Sequence, residues 1–195
     1  MGVGVRGIGI LSTVLLASVA TQALAQDARV SAGQVKAAHE AALVLDTHFD
    51  TPANLAIPGW NILERHDHAK DGSQVDLPRM KQGGVDGGFF VIFTPQGERG
   101  AAGNAAARDH AIKRAVVIRE MLAAHPEHFT LATRAEDAAA IAKDGKKFVY
   151  ISIENGAPVA GDLSLMKTFY DLGVRMMGPV HFANNDLADS ATDPK

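Results

Sequence analysis

Apolar and polar positions along the chain fall into blocks, and the blocks predict strands and helices in turn. Ser31 to Ala42 sets Val35, Ala38 and Ala42 on one stripe behind a capping serine, which predicts a helix. Ala41 to Leu45 is an unbroken apolar run of buried-strand length, and it breaks into Asp46-Thr47-His48-Phe49-Asp50. Thr51 to Asp71 holds Pro52, Pro58, Gly59, Trp60 and a polar cluster around His66 and His68. It is too long and mixed for a tight turn and predicts a working loop with a short helix. Val75 to Gly84 predicts a helical turn closed by Gly83-Gly84, and Val85 to Thr94, aromatic and β-branched, predicts the clearest strand.

After a loop over Pro95 to Gly103, Asn104 to Ala124 predicts a long amphipathic helix. Its stripe is Ile112, Ala115, Val116, Arg119 and Leu122, and it stops near His125-Pro126. Arg134 to Ala142 predicts a helix ending at Gly145, Phe148 to Ile153 a buried strand, and Leu163 to Leu172 a helix closed by Gly173. Val174 to Val180 predicts the last strand, ending at His181, before a polar stretch from Asn184 to Lys195. Strands alternating with helices argue for parallel βαβ units. An open doubly wound sheet and a (β/α)8 barrel both satisfy that pattern, but no Gly-x-Gly-x-x-Gly follows any strand, which disfavours the dinucleotide-binding version.

Composition narrows the class without naming a chemistry. A chain of 195 residues, 47% hydrophobic and 21% charged, predicts a globular domain or one large piece of a domain. A formal charge of −3 with no basic block predicts no nucleic-acid surface. Residues 1–25 read as a secretory signal peptide: Arg6, an apolar core from Gly7 to Ala20, and Ala23-Leu24-Ala25 before Gln26. The apolar run is short for a transmembrane helix, so no stable membrane span is expected after cleavage. Cleavage removes one cation, Arg6, and leaves 18 basic against 22 acidic residues, or −4. With no cysteine, neither a lipid anchor at the cleavage site nor a disulfide framework is expected, so residues 26–195 must fold on their core. A periplasmic or secreted location fits best.

Candidate chemistry gathers at strand ends. His48 and Asp50 follow the first predicted strand, Glu154 the next-to-last, and His181 the last. Each stands at the carboxyl end of an apolar run, the rim where barrel enzymes collect catalytic groups. Imidazoles and carboxylates together suit a divalent ion, and a bridging carboxylate such as Glu154 suits two. Read alone, His181 is open between metal ligand, oxyanion donor and buried structural histidine, and Glu154 before Asn-Gly is open to a plain turn. His66, His68, His110, His125 and His128 read as solvated, and Trp60 with Asn61 reads as loop packing rather than pocket wall.

Several motifs in order carry a family resemblance: Asp46-Thr47-His48-Phe49-Asp50-Thr51-Pro52, then Asp76-Leu77-Pro78-Arg79-Met80-Lys81-Gln82-Gly83-Gly84-Val85, then Ile153-Glu154-Asn155-Gly156. Gly173-Val174-Arg175, His181-Phe182-Ala183-Asn184-Asn185 and Ala188-Asp189-Ser190 follow. The series resembles the membrane (renal-type) dipeptidases, zinc metallopeptidases built on a (β/α)8 TIM barrel. The resemblance implies His48 and Asp50 as ligands of a first zinc, Glu154 as the carboxylate bridging two zincs, and His181 as the histidine that contacts substrate and steadies the tetrahedral intermediate. It further implies dipeptide hydrolysis by a bridging hydroxide, with a homodimer compatible.

Thr47 and Phe49 stand where the family often has Gly and Asn, and Met-Gly-Pro-Val precedes His181 in place of a Thr-rich strand. The family's remaining zinc histidines lie beyond the matched region. The expectation is therefore about the first four βα units of the barrel, at most one bound zinc, and little turnover by this polypeptide alone. Two other expectations compete: a different barrel metallohydrolase acting on amides or phosphoesters, and a non-catalytic periplasmic binding or interaction module.

Overall fold

A computed structural model describes residues 30–193. The proposed signal peptide lies outside them. The described residues fall into two units, divided between Ala42 and Leu43. The first contains helix α1, Ala32–Ala41, opened by a reciprocal cap in which Ser31 accepts from the Gln34 amide and Gln34 accepts from the Ser31 amide. None of its residues is buried, so the Val35 stripe covers no core.

The second unit is a parallel sheet with helices between its strands. Its elements are β1 Leu45–Phe49, α2 Thr51–Leu55, α3 His68–Asp71, α4 Leu77–Gly83, β2 Gly87–Phe93 and α5 Ala101–Ala124. They continue with β3 Phe129–Leu131, α6 Asp137–Lys143, β4 Lys147–Glu154, α7 Leu165–Asp171 and β5 Val174–Gly178. A single 3-10 turn, Ala157–Val159, follows β4. Among the described residues no helix is long and apolar enough to cross a membrane.

The order is β1-β2-β4, and the far edge of β4 is shared. β3 lies along Lys147–Val149 and β5 along Ile151–Glu154. β3 has no counterpart in the sequence reading, since three residues carry no periodicity to detect. Its partner makes it a strand.

Period-two alternation sorts the sheet into two faces. Phe90 and Ile92 on β2 pair across with Ile151 and Ile153 on β4, and pack with Ala111, Ala115 and Ile118 of α5. Phe148 and Tyr150 point the other way and pack with Ala138 and Ile141 of α6. The long helix begins three residues earlier than its amphipathic pattern indicated, and its buried line is Ala111-Ala115-Ile118-Leu122 rather than one through Val116, which is 41% exposed. Alanines let α5 approach the sheet closely, and they register weakly in a hydrophobic pattern.

The first strand departs most from expectation. The apolar run Ala41–Leu45 is not the strand; it stops where β1 starts, and β1 has a single neighbour. Leu43 and Leu45 are 44% and 42% exposed because nothing pairs with that edge among the described residues. Asp46 sits opposite Gly88, but Phe49 sits opposite Phe90, so the pairing shifts by one residue in between. Without that shift His48 would face the α5 core. With it, Phe49 takes the core position against Phe90, at 5.6 Å between ring centres, and His48 swings to the opposite face. Gly88 makes the close approach feasible, since a Cβ there would lie 2.2 Å from the Asp46 carbonyl oxygen.

Candidate active site

The four residues singled out from the strand ends meet at the carboxyl end of the sheet. His48 Nε2 lies 3.3 Å from Asp50 Oδ1 and 3.6 Å from Glu154 Oε2, and His181 Nε2 lies 3.4 Å from Glu154 Oε1. One carboxylate is thus shared by two imidazoles arriving from opposite sides of β4. All four side chains line a cavity of about 400 Å³, together with Val91, Phe93, His110 and Arg114.

Local chain chemistry explains how each group gets there. Asp50 precedes the first turn of α2, with Pro52 inside that turn. Glu154 is the last residue of β4, opposite Phe93 and therefore on the face away from α5. Asn155 follows at φ 70°, the one non-glycine residue with positive φ among those described. Its side chain holds that turn: Nδ2 donates to the Thr94 carbonyl at 2.9 Å, and Oδ1 accepts from Asn185 Nδ2 at 2.7 Å. A buried, fully engaged asparagine is one of the few residues that tolerate this backbone. Because Asn185 also donates to the Pro179 carbonyl, the Glu154 turn and the segment carrying His181 are joined directly.

His181 lies three residues past the end of β5, since the strand stops at Gly178 rather than running to Val180. It sits edge-on to Phe93 at 5.2 Å and tilted against Phe182 at 4.0 Å, and Ser190 Oγ donates to its carbonyl. Asp46 takes a different course from His48 and Asp50. It accepts from the His48 amide at 2.9 Å and does not line the cavity.

Two wall residues escaped the sequence reading. His110, read there as solvated, reaches the rim from α5 and lies 3.1 Å from the Phe93 carbonyl. Arg114, one helical turn on, donates to the Pro52 carbonyl, and no carboxylate lies within ion-pair distance among the described residues. Burial pushes its guanidinium below the ordinary arginine value. Their spacing of four on one helix face was the available signal.

His66 also corrects the reading. It is not solvated but stacked on Trp60 at 4.4 Å, with Nδ1 2.7 Å from Asp71 and Nε2 2.8 Å from the Asn61 carbonyl. Trp60 and Asn61 accordingly pack the loop, as expected.

The model of the membrane dipeptidases, peptidase family M19, matches residues 32–195. The chain belongs to that family. Dipeptidase ataJ of Aspergillus terreus is 31% identical over 124 residues, covering 62% of this chain and 30% of that protein. An uncharacterized dipeptidase of Schizosaccharomyces pombe, C3A11.10c, is 27% identical over 160 residues, covering 78% and 39%. Among solved structures, the probable dipeptidase PvdM of Pseudomonas aeruginosa superposes with a TM-score of 0.69 at 27% identity, over 81% of this chain and 39% of that one. A metallopeptidase of Rhodobacter sphaeroides, liganded with a phosphinate mimic of the dipeptide L-Ala-D-Ala, superposes at 0.62 and 25% identity, over 73% and 46%. The chain spans 30–39% of these curated relatives. The parallel sheet and its helices are a partial (β/α)8 barrel of the membrane dipeptidase type.

A metallopeptidase family implies a metal, generally zinc, and the donor set can be tested against it. Ligands around a tetrahedral zinc, with bonds of about 2.0–2.2 Å, lie about 3.3 Å from one another. His48 meets that spacing with Asp50 and approaches it with Glu154. Among the described residues no three such groups close into a complete binding set. The pairs supply two edges of one, with imidazole nitrogen and carboxylate oxygen of the right kind. The donor types suit zinc; among the described residues the donors stand in pairs.

Proposed function

We propose that this chain contributes the His48, Asp50, Glu154 and His181 rim to a binuclear zinc centre that hydrolyses dipeptides. The observation that carries the reading is the single carboxylate of Glu154 shared by the imidazoles of His48 and His181. With one oxygen toward each imidazole, the carboxylate stands between the residue read as a metal ligand and the residue read as a substrate contact, and the family likeness supports a metal-holding role for it. In this reading His48, Asp50 and Glu154 would hold the metal, and His181 would stand toward the substrate. Zinc bound there supplies a Lewis acid that polarises the peptide carbonyl and lowers the pKa of water.

The chain's own groups do the rest. His181, supported edge-on by Phe93 and through its carbonyl by Ser190, presents a ring N–H to the oxygen on which negative charge develops. Val91 and Phe93 give the cavity an apolar wall that excludes water from part of the substrate. The dipeptide mimic bound by the Rhodobacter sphaeroides relative supports a dipeptide as substrate.

For the 195-residue polypeptide by itself we propose one bound zinc and little turnover. The test is zinc titration by calorimetry with metal analysis, followed by binding of the phosphinate mimic of L-Ala-D-Ala. One zinc per chain is expected, lost in His48→Ala and Glu154→Gln, with mimic binding only when zinc is present. Zinc retained in both variants, or mimic binding indifferent to zinc, would overturn the site. Robust dipeptide hydrolysis by this polypeptide would overturn the one-ion reading.

Export is part of the same proposal, supported by Arg6, the apolar run Gly7 to Ala20 and Ala23-Leu24-Ala25. Amino-terminal sequencing of the mature protein is expected to start at Gln26, and a start at Met1 would refute export by cleavage.

A further inference from the structure

A second cavity, of about 430 Å³, adjoins the first and shares two wall residues with it, Pro95 and His110. Its floor is the first turns of α5, where Ala102, Ala106 and Ala107 end at Cβ. Its roof is the loop between β2 and α5. A space of this size beside a reaction centre is in the range of ligand pockets.

A loop lying over alanines would settle onto them unless something outside held it. Two ties hold this one. Gln96 Nε2 donates to the Asn184 carbonyl at 3.0 Å. The Asp186 carboxylate accepts from Arg99 Nε at 2.9 Å, from the Gly100 amide at 2.5 Å and from Asn104 Nδ2 at 3.0 Å. Gly100 has no side chain with which to cap α5, and its own amide is taken by Asp186 from 86 residues away. These partners hold the Asp186 carboxyl below the usual carboxylate range, the Arg99 side chain first. Asn184 and Asp186 stand on the segment that follows His181, so the strap presenting that imidazole also props the cavity open. At the junction, Thr94 is buried and its hydroxyl has no partner among the described residues.

We propose that this cavity receives one apolar side chain of the dipeptide substrate, and that the alanine face of α5 sets how large that side chain can be. The proposal rests on the dipeptidase reading above. Pro95 and the three alanines offer no partner to a charge, and Glu98 on the same wall disfavours an acidic side chain. The shared walls at His110 and Pro95 put this cavity directly beside the Glu154 rim, within reach of a substrate held there.

The test uses the zinc-loaded chain and phosphinate dipeptide mimics bearing alanine, leucine or lysine, varied at each of the two positions in turn. Ala106→Phe fills the cavity at an exposed residue, so the fold tolerates it. At one position, the variant is expected to weaken the leucine mimic about tenfold or more while changing the alanine mimic less than about twofold. Asp186→Ala, which releases the roof, should weaken the leucine mimic and leave zinc affinity unchanged. Equal loss for all mimics in Ala106→Phe, no loss for any, or tighter binding of lysine than leucine by the wild type would overturn the pocket alone. Failure of every mimic to bind the zinc-loaded wild type would overturn the dipeptidase reading with it.

Discussion

Two clusters of histidine and carboxylate, one at the strand-end rim and one in the Trp60–Arg79 segment, are built to opposite ends. In the Trp60–Arg79 segment both nitrogens of His66 and the carboxylates of Asp71 and Asp76 are committed, while the buried Trp60 indole N–H is without a partner among the described residues. His66 is sandwiched between Trp60, Asp71 and the Asn61 carbonyl. Asp76, fully buried, caps α4, accepts from the His66 and Arg79 amides and pairs with the Arg79 guanidinium at 2.6 Å. At the rim, His48 and His181 stand 3.6 and 3.4 Å from Glu154, with more than a quarter of each imidazole exposed. A satisfied network rigidifies a loop, whereas a loosely paired one keeps lone pairs free for a ligand. Residue type alone does not distinguish them; the count of satisfied groups does.

The largest expected effect breaks the loop cluster. Asp76→Ala leaves a partly buried guanidinium and two amides without their acceptor and should cost about 3 kcal/mol in urea unfolding. Next comes the rim, where loss should appear in metal affinity rather than stability. Glu154→Gln should lower zinc affinity by more than about a hundredfold, since removing even an outer-shell partner costs 10–100-fold, while the unfolding midpoint stays near that of the wild type. A midpoint that falls as far as that of Asp76→Ala would erase the distinction between the clusters.

A smaller effect is the pH dependence of the loop. Burial pushes His66 down, but the Asn61 carbonyl and Asp71 carboxylate outweigh it and raise it above 6.5. Its contribution is complete below pH 6.5 and is lost as pH rises through the raised value. Asp71 is lowered to about 2, chiefly by the Ser73 hydroxyl and amide, so its contribution holds above 3.8 and disappears as pH falls toward 2. His66→Gln should flatten the loss of stability above pH 6.5 and leave the acid limb in place, as read by denaturant titrations across pH. Smallest of all, His68→Ala should change stability by no more than about 0.5 kcal/mol and zinc affinity not at all. Its ring touches only the Gly72 carbonyl, so a loss of zinc would relocate the metal to this loop.

Much of this was legible before any coordinates. The strand ending in Glu154 announced itself because an apolar run stopping in a ligating residue is visible one-dimensionally, whereas the run before His181 overstated its strand, which stops at Gly178. The capped helices at Ser31 and at Gly83-Gly84 were equally plain, since caps are local chemistry. The wall contributed by His110 and Arg114 was not, because their spacing of four puts them on one helix face without saying which way that face turns on a helix of alanines and charges. His66 was misjudged for the converse reason: a histidine in a polar loop looks solvated until a tryptophan stacks on it.

The amino-acid order by itself determined the alternation of strand and helix, the family, and the residue types gathered at strand ends. Only the tertiary structure decided which face His48 occupies. Side-chain direction along a strand has a period of two, so a single residue of slippage between Asp46 and Phe49 exchanges core for cavity. That slippage depends on Gly88 of the neighbouring strand and on Phe49 finding Phe90, contacts about forty residues away in sequence. No window on the β1 segment alone contains them.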